Sequence, residues 1–575
     1  MKARSLTWRG ACVILINSFG GQGWAASPRD SLSTDAEALI QQSRQPPPPT
    51  FSVNIQVNAA ANRRAISPEI YGVAFATAAQ MMDLNVSLNR NGGNATSRYN
   101  WLLDASNRGS DWYFESVPQS AGTPGQSADD FFVMTRNAGV QPMLTVPMMG
   151  WVAKLGLARM KLSSFSILKY GPQLAKDWQW LADAGSGVRL DNSIITNNDP
   201  HDANQPADPA FQRGWVSHLV SRWGRANQGG LRYYILDNEP SVWHMTHRDV
   251  HPTGATMEEV RDRMLDYGAA VKAVDPGALV VGPEEWGWSG YLFSGYDQQY
   301  SQQHGYPAPS TLPDRSAHGG WDYLPWLLDQ LRSEAQGTGR RTLDVLSVHY
   351  YPQGGEYSDD TSSSMQLKRN RSTRSLWDPN YVDASWINAP VQLIPRLRSW
   401  VNTYYPGTRI AITEYNWGAE GHINGATAQA ELLGLFGREG LDMAVRWGTP
   451  DAATPTYKAI KLYRNYDGKR STFGDTSVLA QVPDPDTVSA FAAVRSSDGA
   501  LTIMVVGKFL TGTAGLTVDL AGFAPAGTAQ VWQLTAANTL TRLTDVTLSG
   551  TRLTATVPAS SITLFVVPRA AAALP

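Results

Sequence analysis

The feature that most constrains this chain is a recurrence. Eight short apolar runs each end abruptly in a polar cluster, and helical segments separate them. The runs are "EIYGVAFA" from Glu69, "VSLNRNGGN" from Val86, "VQPMLTVPM" from Val140 and "LRYYILDNEP" from Leu231. They continue with "ALVVGPEEWG" from Ala278, "LDVLSVHYYP" from Leu343, "RIAITEYNWG" from Arg409 and "LDMAVRWG" from Leu441. Continuous apolar runs of this length are what parallel strands buried on both faces require. Between them, "FQRGWVSHLVSRWG" from Phe211 repeats large apolar residues at helical spacing. "TMEEVRDRMLDYGAAVKAVDP" starts with Thr256 and Glu259 in capping-box spacing and stops at Pro276. Strands alternating with helices eight times predict an α/β fold, a TIM-like (β/α)8 barrel over residues 67–454.

Past residue 455 the texture changes to alternating runs with turn residues between them. "VSAFAAVRSSDGALTIMVVGKF" reads as a hairpin, and "GLTVDL", "AQVWQL", "TRLTATVP" and "SITLFVVP" follow. The expectation is a C-terminal antiparallel β-sandwich over 455–575. "FSVNIQV" has the same alternation but precedes the barrel, so residues 51–66 are expected to supply a strand to the sandwich. Residues 1–26 read as a secretory signal peptide, with a basic start, the short apolar core Ala11 to Phe19 and small residues at Gly23 to Ala26. That core is too short to span a bilayer. Residues 27–50, ending in Pro46 to Pro49, read as a stiff linker. The single cysteine, Cys12, lies in the leader, so a processed chain would have no disulfide. A secreted or periplasmic location is expected.

Charge is balanced, with 48 Lys and Arg against 50 Asp and Glu. That argues against nucleic acid or an anionic membrane as a partner held by bulk charge. There is no G-x-S-x-G elbow and no Walker loop.

A barrel of this kind gathers its chemistry where the strands end. The second run ends on Arg90, Gly92, Gly93 and Asn94; the fourth on Asp237, Asn238 and Glu239; the fifth on Glu284, Glu285 and Trp286. The sixth ends on His349, Tyr350 and Tyr351, the seventh on Glu414, Tyr415, Asn416 and Trp417, and the eighth on Arg446 and Trp447. Paired carboxylates among aromatics suit glycoside hydrolysis, which needs one protonated carboxyl and one ionised carboxylate on either side of the bond. Runs four and seven can face each other across the mouth. Glu239 is therefore expected to be the acid/base and Glu414 the nucleophile. Asn238 would meet the sugar 2-hydroxyl, and Arg90 would support Glu414 with a neighbouring cation.

Further substrate contacts are expected from Asn94, Glu285, His349 and Tyr350, with Trp112, Trp377, Trp386 and Trp447 as sugar platforms. Asp237 reads as a structural acceptor. His244, His247 and His251 read as loop-fixing or cleft-lining residues, because the zinc-helix pattern lacks its glutamate. The acidic loop with Asp199, Asp202 and Asp208 offers hard oxygen ligands for a structural calcium. No cofactor is expected in the chemistry itself.

The stretches "YILDNEPSVWHMTHRDVHP" from Tyr234, "NRNGGNATSRYNW" from Asn89, "VPMMGWVAK" from Val146 and "ITEYNWG" from Ile412 closely resemble glycoside hydrolase family 44. The resemblance runs from about Ile66 to the C-terminus and keeps the order of the motifs. It departs from the common pattern at Asn91 and Ala95. It implies a barrel with a sandwich, retention of configuration, catalytic glutamates at Glu239 and Glu414, and endo-β-1,4-glucanase or xyloglucanase activity. The expected partner is a β-glucan polysaccharide such as xyloglucan or carboxymethylcellulose, met by a monomer. Another barrel hemicellulase, a xylanase or mannanase, and a non-catalytic glycan-binding protein are the alternatives.

Overall fold

A computed structural model describes residues 50–571. The expected leader, 1–26, and all but the last residue of the linker, 27–50, lie outside the described residues.

Eight parallel strands close into a barrel in chain order. They are β1 (Gly72–Ala74), β2 (Leu88–Asn91), β3 (Gln141–Val146), β4 (Tyr233–Leu236), β5 (Leu279–Glu285), β6 (Val345–Tyr350), β7 (Arg409–Tyr415) and β8 (Met443–Arg446). The last returns to pair with the first, Arg446 opposite Val73. Leu88, Met143, Tyr233, Ile235, Val281 and Val345 fill the interior, so the barrel is a packed core and not a pore. At the N-terminal end, the Glu69 carboxylate takes the Tyr233 hydroxyl and the Arg409 guanidinium. The outer faces of the strands pack on helices, which is why their sequences are apolar throughout.

Helix caps follow the sequence with one refinement. Asp208 accepts the Phe211 N–H at 2.8 Å and opens the helix Pro209–Trp223. Thr256 accepts the Glu259 N–H at 3.1 Å and opens Met257–Val274. Glu259 does not complete the capping box; its carboxylate takes Arg263 and His251 instead.

The second layer is a sandwich made from one continuous sheet path. It runs Leu540–Thr547, Thr528–Leu534, Ser561–Val567, Leu501–Gly507, Val488–Val494, Thr476–Gln481, Phe51–Asn58, Thr513–Ala521, Arg552–Pro558. Phe51–Asn58 pairs antiparallel with Thr476–Gln481 but parallel with Thr513–Ala521 along its whole length. The sandwich is therefore mixed rather than wholly antiparallel. A strand that arrives from upstream of the barrel is not tied to a neighbour by a hairpin, so its direction is free. The helix Pro455–Arg464, expected to open the sandwich, packs mainly against the barrel helices Ile423–Glu439 and Ala78–Leu84, with Tyr457 and Lys461 on Asp83, and touches the sandwich strand Thr528–Leu534. Its Pro at N1 marks the helix start.

Barrel and sandwich share a buried seam. Phe491, Met504 and Leu564 face the helix Ile423–Glu439, while Ala490, Ile503 and Phe565 on the same strands face the sandwich core. Within the seam Lys508 meets Glu431 at 2.7 Å, both side chains being buried. Among the described residues no helix is long and apolar enough to cross a membrane. Replacing Lys508 by Ala would strand a buried carboxylate. Chemical unfolding should show a loss of about 3–5 kcal/mol, most of it recovered when Glu431→Gln is added. An unchanged midpoint in Lys508→Ala would contradict the seam's role.

Candidate active site

The end of β4 is held by its own side chains. Asp237 accepts the backbone N–H groups of Met148 (2.6 Å), Met149 (3.1 Å) and Asn238 (2.8 Å), tying β4 to the loop after β3. The Trp243 indole donates to the Asn238 carbonyl at 3.0 Å. The Glu239 N–H donates to the Glu284 carbonyl at 3.0 Å. Asp237, Glu239 and Glu284 adopt φ of 59°, 47° and 63°. Left-handed backbone is costly for such residues and persists where surrounding contacts over-determine it, often at sites of function.

Around this turn four strand ends converge. Arg90 on β2 is fully buried; its Nη1 donates to Glu414 Oε1 and its Nη2 to Glu284 Oε2, both at 2.7 Å. Its Nη2 also lies 3.4 Å from Asn238 Oδ1. His349 on β6 sits with Nδ1 2.9 Å from Glu239 Oε1 and 3.5 Å from Glu414 Oε2, and Nε2 3.2 Å from Glu284 Oε2. The Tyr351 hydroxyl donates to Glu414 Oε2 at 3.0 Å. A carboxylate oxygen of Glu239, a ring nitrogen of His349 and a carboxylate oxygen of Glu414 all lie within 4.8 Å of one another. On the far side, Asn238 Nδ2 donates to Asn94 Oδ1 (3.0 Å) and Asn94 Nδ2 to Asp111 Oδ1 (2.8 Å). Trp447 covers Arg90, ring centre 5.7 Å from the guanidinium carbon, and Gly93 (φ 86°) leaves the space its ring edge fills.

The surroundings separate the proton affinities of these groups. Burial raises Glu239, and Glu414 adds to this, against the opposing pull of His349 and Arg90. Glu284 is also buried, but the Arg90 charge and His349 outweigh burial and hold it at about 2. Burial lowers His349, yet Glu414, Glu239 and Glu284 together lift it to about 10, so it carries a proton at neutral pH. Glu239 is thus biased toward holding a proton, as a general acid requires, while Glu284 beneath it is fixed as a charge.

Several expected residues sit elsewhere. Glu285 is buried with its carboxylate 2.5 Å from the Ser241 hydroxyl, away from the mouth, and burial pushes it up to about 8. Glu284, its neighbour, takes the inward place. Tyr350 is buried beside Trp417 and points at Asp383, whereas Tyr351 reaches Glu414. Successive strand residues face opposite ways, so His349 and Tyr351 share the cleft side. Trp377 packs under Arg438, 4.2 Å from its ring centre, in the last turn of the helix after β7, and is no part of the mouth. Trp386 is 40% exposed, with its indole donating to Gln353 at 3.2 Å. Trp112 is nearly buried in an aromatic cluster beside Asp111.

Trp243 anchors the turn after β4 through its indole. His247 is fully buried and held well below its ordinary value by burial; His244 is held at about 4 for the same reason; His251 pairs with Glu259 at 2.9 Å. Asp199, Asp202 and Asp208 do not bring ligand oxygens together among the described residues. Asp199 and Asp208 accept nearby backbone N–H groups, and Asp202 takes Lys169 and Tyr170 at 2.5 Å each. Sequence reasoning settled on Glu285 rather than Glu284 and on Tyr350 rather than Tyr351, and did not single out Asp111. Only the period-2 count from His349 to Tyr351 carried a usable signal.

A family model for glycoside hydrolase family 44 matches residues 105–354. An endoglucanase A of Paenibacillus lautus is 33% identical over 511 residues, covering 84% of this chain and 67% of its own length. Among solved structures, CelM2, a bifunctional glucanase-xylanase from a metagenome library, is 65% identical with a TM-score of 0.89, over 90% of this chain and 99% of its own. A Paenibacillus polymyxa xyloglucanase of family 44, solved with xyloglucan, is 30% identical with a TM-score of 0.73, over 90% of this chain and all of its own.

The network makes stability depend on pH in two windows. Glu284, depressed from 4.5 to about 2, contributes stability that is present above pH 4.5 and lost as pH falls toward 2. His349, raised from 6.5 to about 10, contributes stability that is full below pH 6.5 and lost as pH rises through 10. The melting-temperature gap between the protein and its His349→Asn variant should therefore narrow from pH 6.5 to 10. A gap constant over that range would show that His349 is not held in its charged form.

Proposed function

Because this chain belongs to glycoside hydrolase family 44, we propose that it hydrolyses internal β-1,4 bonds of soluble glucans, xyloglucan among them, with retention of configuration. What supports retention is that one carboxylate oxygen of Glu239 lies within 4.8 Å of one of Glu414. Retaining enzymes hold their carboxyls about 5–5.5 Å apart, while inverting enzymes leave about 6.5–9.5 Å for a water.

In the first step Glu239 donates its proton to the leaving oxygen while the Glu414 carboxylate attacks the anomeric carbon. The glycosidic C–O bond breaks and a glycosyl ester forms on Glu414. In the second, Glu239 takes a proton from the incoming water, whose oxygen displaces Glu414. Arg90 and Tyr351 hold the Glu414 oxygens in place for attack. Asn238, gripped between Arg90 and Asn94, is the residue proposed for the sugar 2-hydroxyl. The leader-like residues 1–26 support export before the chain meets a polysaccharide. Similarity to a bifunctional glucanase-xylanase favours a second reading in which xylan is also cut.

Replacing Glu239 by Gln should lower kcat on polysaccharide about 10²–10⁴-fold, and less on aryl glycosides that leave without protonation. Azide should restore turnover of activated substrates in both Glu239→Ala and Glu414→Gly. It should give the β-glycosyl azide from the first and the α-glycosyl azide from the second. Wild-type products first appearing as the α-anomer in NMR would overturn retention.

A further inference from the structure

A segment between β3 and β4 carries two tryptophans whose exposure is unusual for their size. Trp178 is 76% exposed and Trp180 is 40% exposed. They are not loosely held. The buried Asp177 accepts the N–H groups of Gln179 (2.8 Å), Trp180 (2.7 Å) and Leu181 (2.6 Å), which fixes the turn that presents both rings. Trp180 packs on Trp112 with ring centres 4.9 Å apart, and Trp178 meets the same indole edge-on at 6.1 Å. Two cations flank the platform, Lys161 at 5.6 Å and Arg108 at 5.9 Å from the Trp180 ring. Water contact with this much rigid apolar surface costs free energy, which a ligand with a flat apolar face would recover.

The platform is continuous with the cleft. Trp112 follows Asp111, which binds Asn94, which binds Asn238, the neighbour of Glu239. A polymer lying across Glu239 and Glu414 and running out past Asn94 and Asp111 therefore meets Trp180 and Trp178, which stand on the buried Trp112. A β-1,4-linked glucan suits this surface. Its equatorial hydroxyls leave C–H faces above and below each ring for the indoles, and its rim hydroxyls can accept from Arg108 and Lys161. We propose that Trp178 and Trp180 form an outlying glucan subsite that binds the part of the polymer beyond the residues at the catalytic pair. This rests on the hydrolase reading above and extends it to how a long chain is held.

The test compares a soluble β-glucan polymer with a short aryl cellobioside in Trp178→Ala, Trp180→Ala, the double variant and Trp180→Phe. In the double variant the polymer KM should rise about tenfold with kcat nearly unchanged. The loss should be confined to the polymer, and Trp180→Phe should recover most of it. An unmoved polymer KM overturns the subsite, and so does an equal loss on both substrates, which would mean damage to the cleft. A change in oligomeric mass without a change in KM would assign the platform to a second copy of this chain and also overturn it. If the wild type cleaves neither substrate, the hydrolase reading falls and this proposal with it. If it cleaves both and the KM does not move, only the subsite falls.

Discussion

The buried guanidinium of Arg90 is the constraint on which the rest of the site depends. Removing a cation from water costs several kcal/mol, and the cost is offset only where well-placed partners surround it. Here Glu284 and Glu414 sit on its two terminal nitrogens at 2.7 Å each. Arginine suits the place because a planar fork can hold two carboxylates from different strands at once, which a lysine point charge cannot do with fixed geometry. The chain makes room for it: a Cβ on Gly92 would lie 2.3 Å from the guanidinium carbon. Trp447 covers it from the side.

That arrangement also fills the space beneath the two catalytic candidates. Glu239 and Glu414 come from β4 and β7, and the two strands between them supply Glu284 and His349. Those intervening residues form a charged floor. Glu284 balances part of Arg90, and protonated His349 stands between the two catalytic candidates. Glu239, partly open to the mouth and next to Glu414, is the carboxyl left to hold a proton. The left-handed backbone at Asp237, Glu239 and Glu284 is part of the cost of turning these ends inward. A packed barrel interior and a sandwich clamped chiefly on the helix Ile423–Glu439 supply the rigidity that holds it.

Much of this was legible in the sequence because parallel strands leave a coarse mark. An apolar run that stops on carboxylates needs no tertiary information to be read as a barrel strand reaching a mouth, and so Arg90, Asn94, Asn238, Glu239, His349, Glu414 and Trp447 were in view. What failed was resolution at the level of one residue. Register shifts interrupt the pairing of β5 with β6, β6 with β7 and β7 with β8, just where the strands end. Counting by twos cannot cross such a bulge, so Glu285 was expected where Glu284 stands. Trp243, Trp377 and His251 were illegible for another reason. Their partners, an Asn238 carbonyl, Arg438 and Glu259, are chosen by packing, and nothing in the local pattern distinguishes an anchoring tryptophan from a sugar platform.

The central claim is that burial, with Glu414 beside it, leaves Glu239 as the proton carrier against the pull of His349 and Arg90. It is tested most directly by titrating the side-chain carboxyl of Glu239 in carboxyl-¹³C-glutamate-labelled protein, its NMR signal assigned by its loss in Glu239→Gln. The account predicts a midpoint above the ordinary glutamate value of 4.5. A midpoint at or below 4.5 would leave no proton at the mouth when substrate arrives and would contradict it.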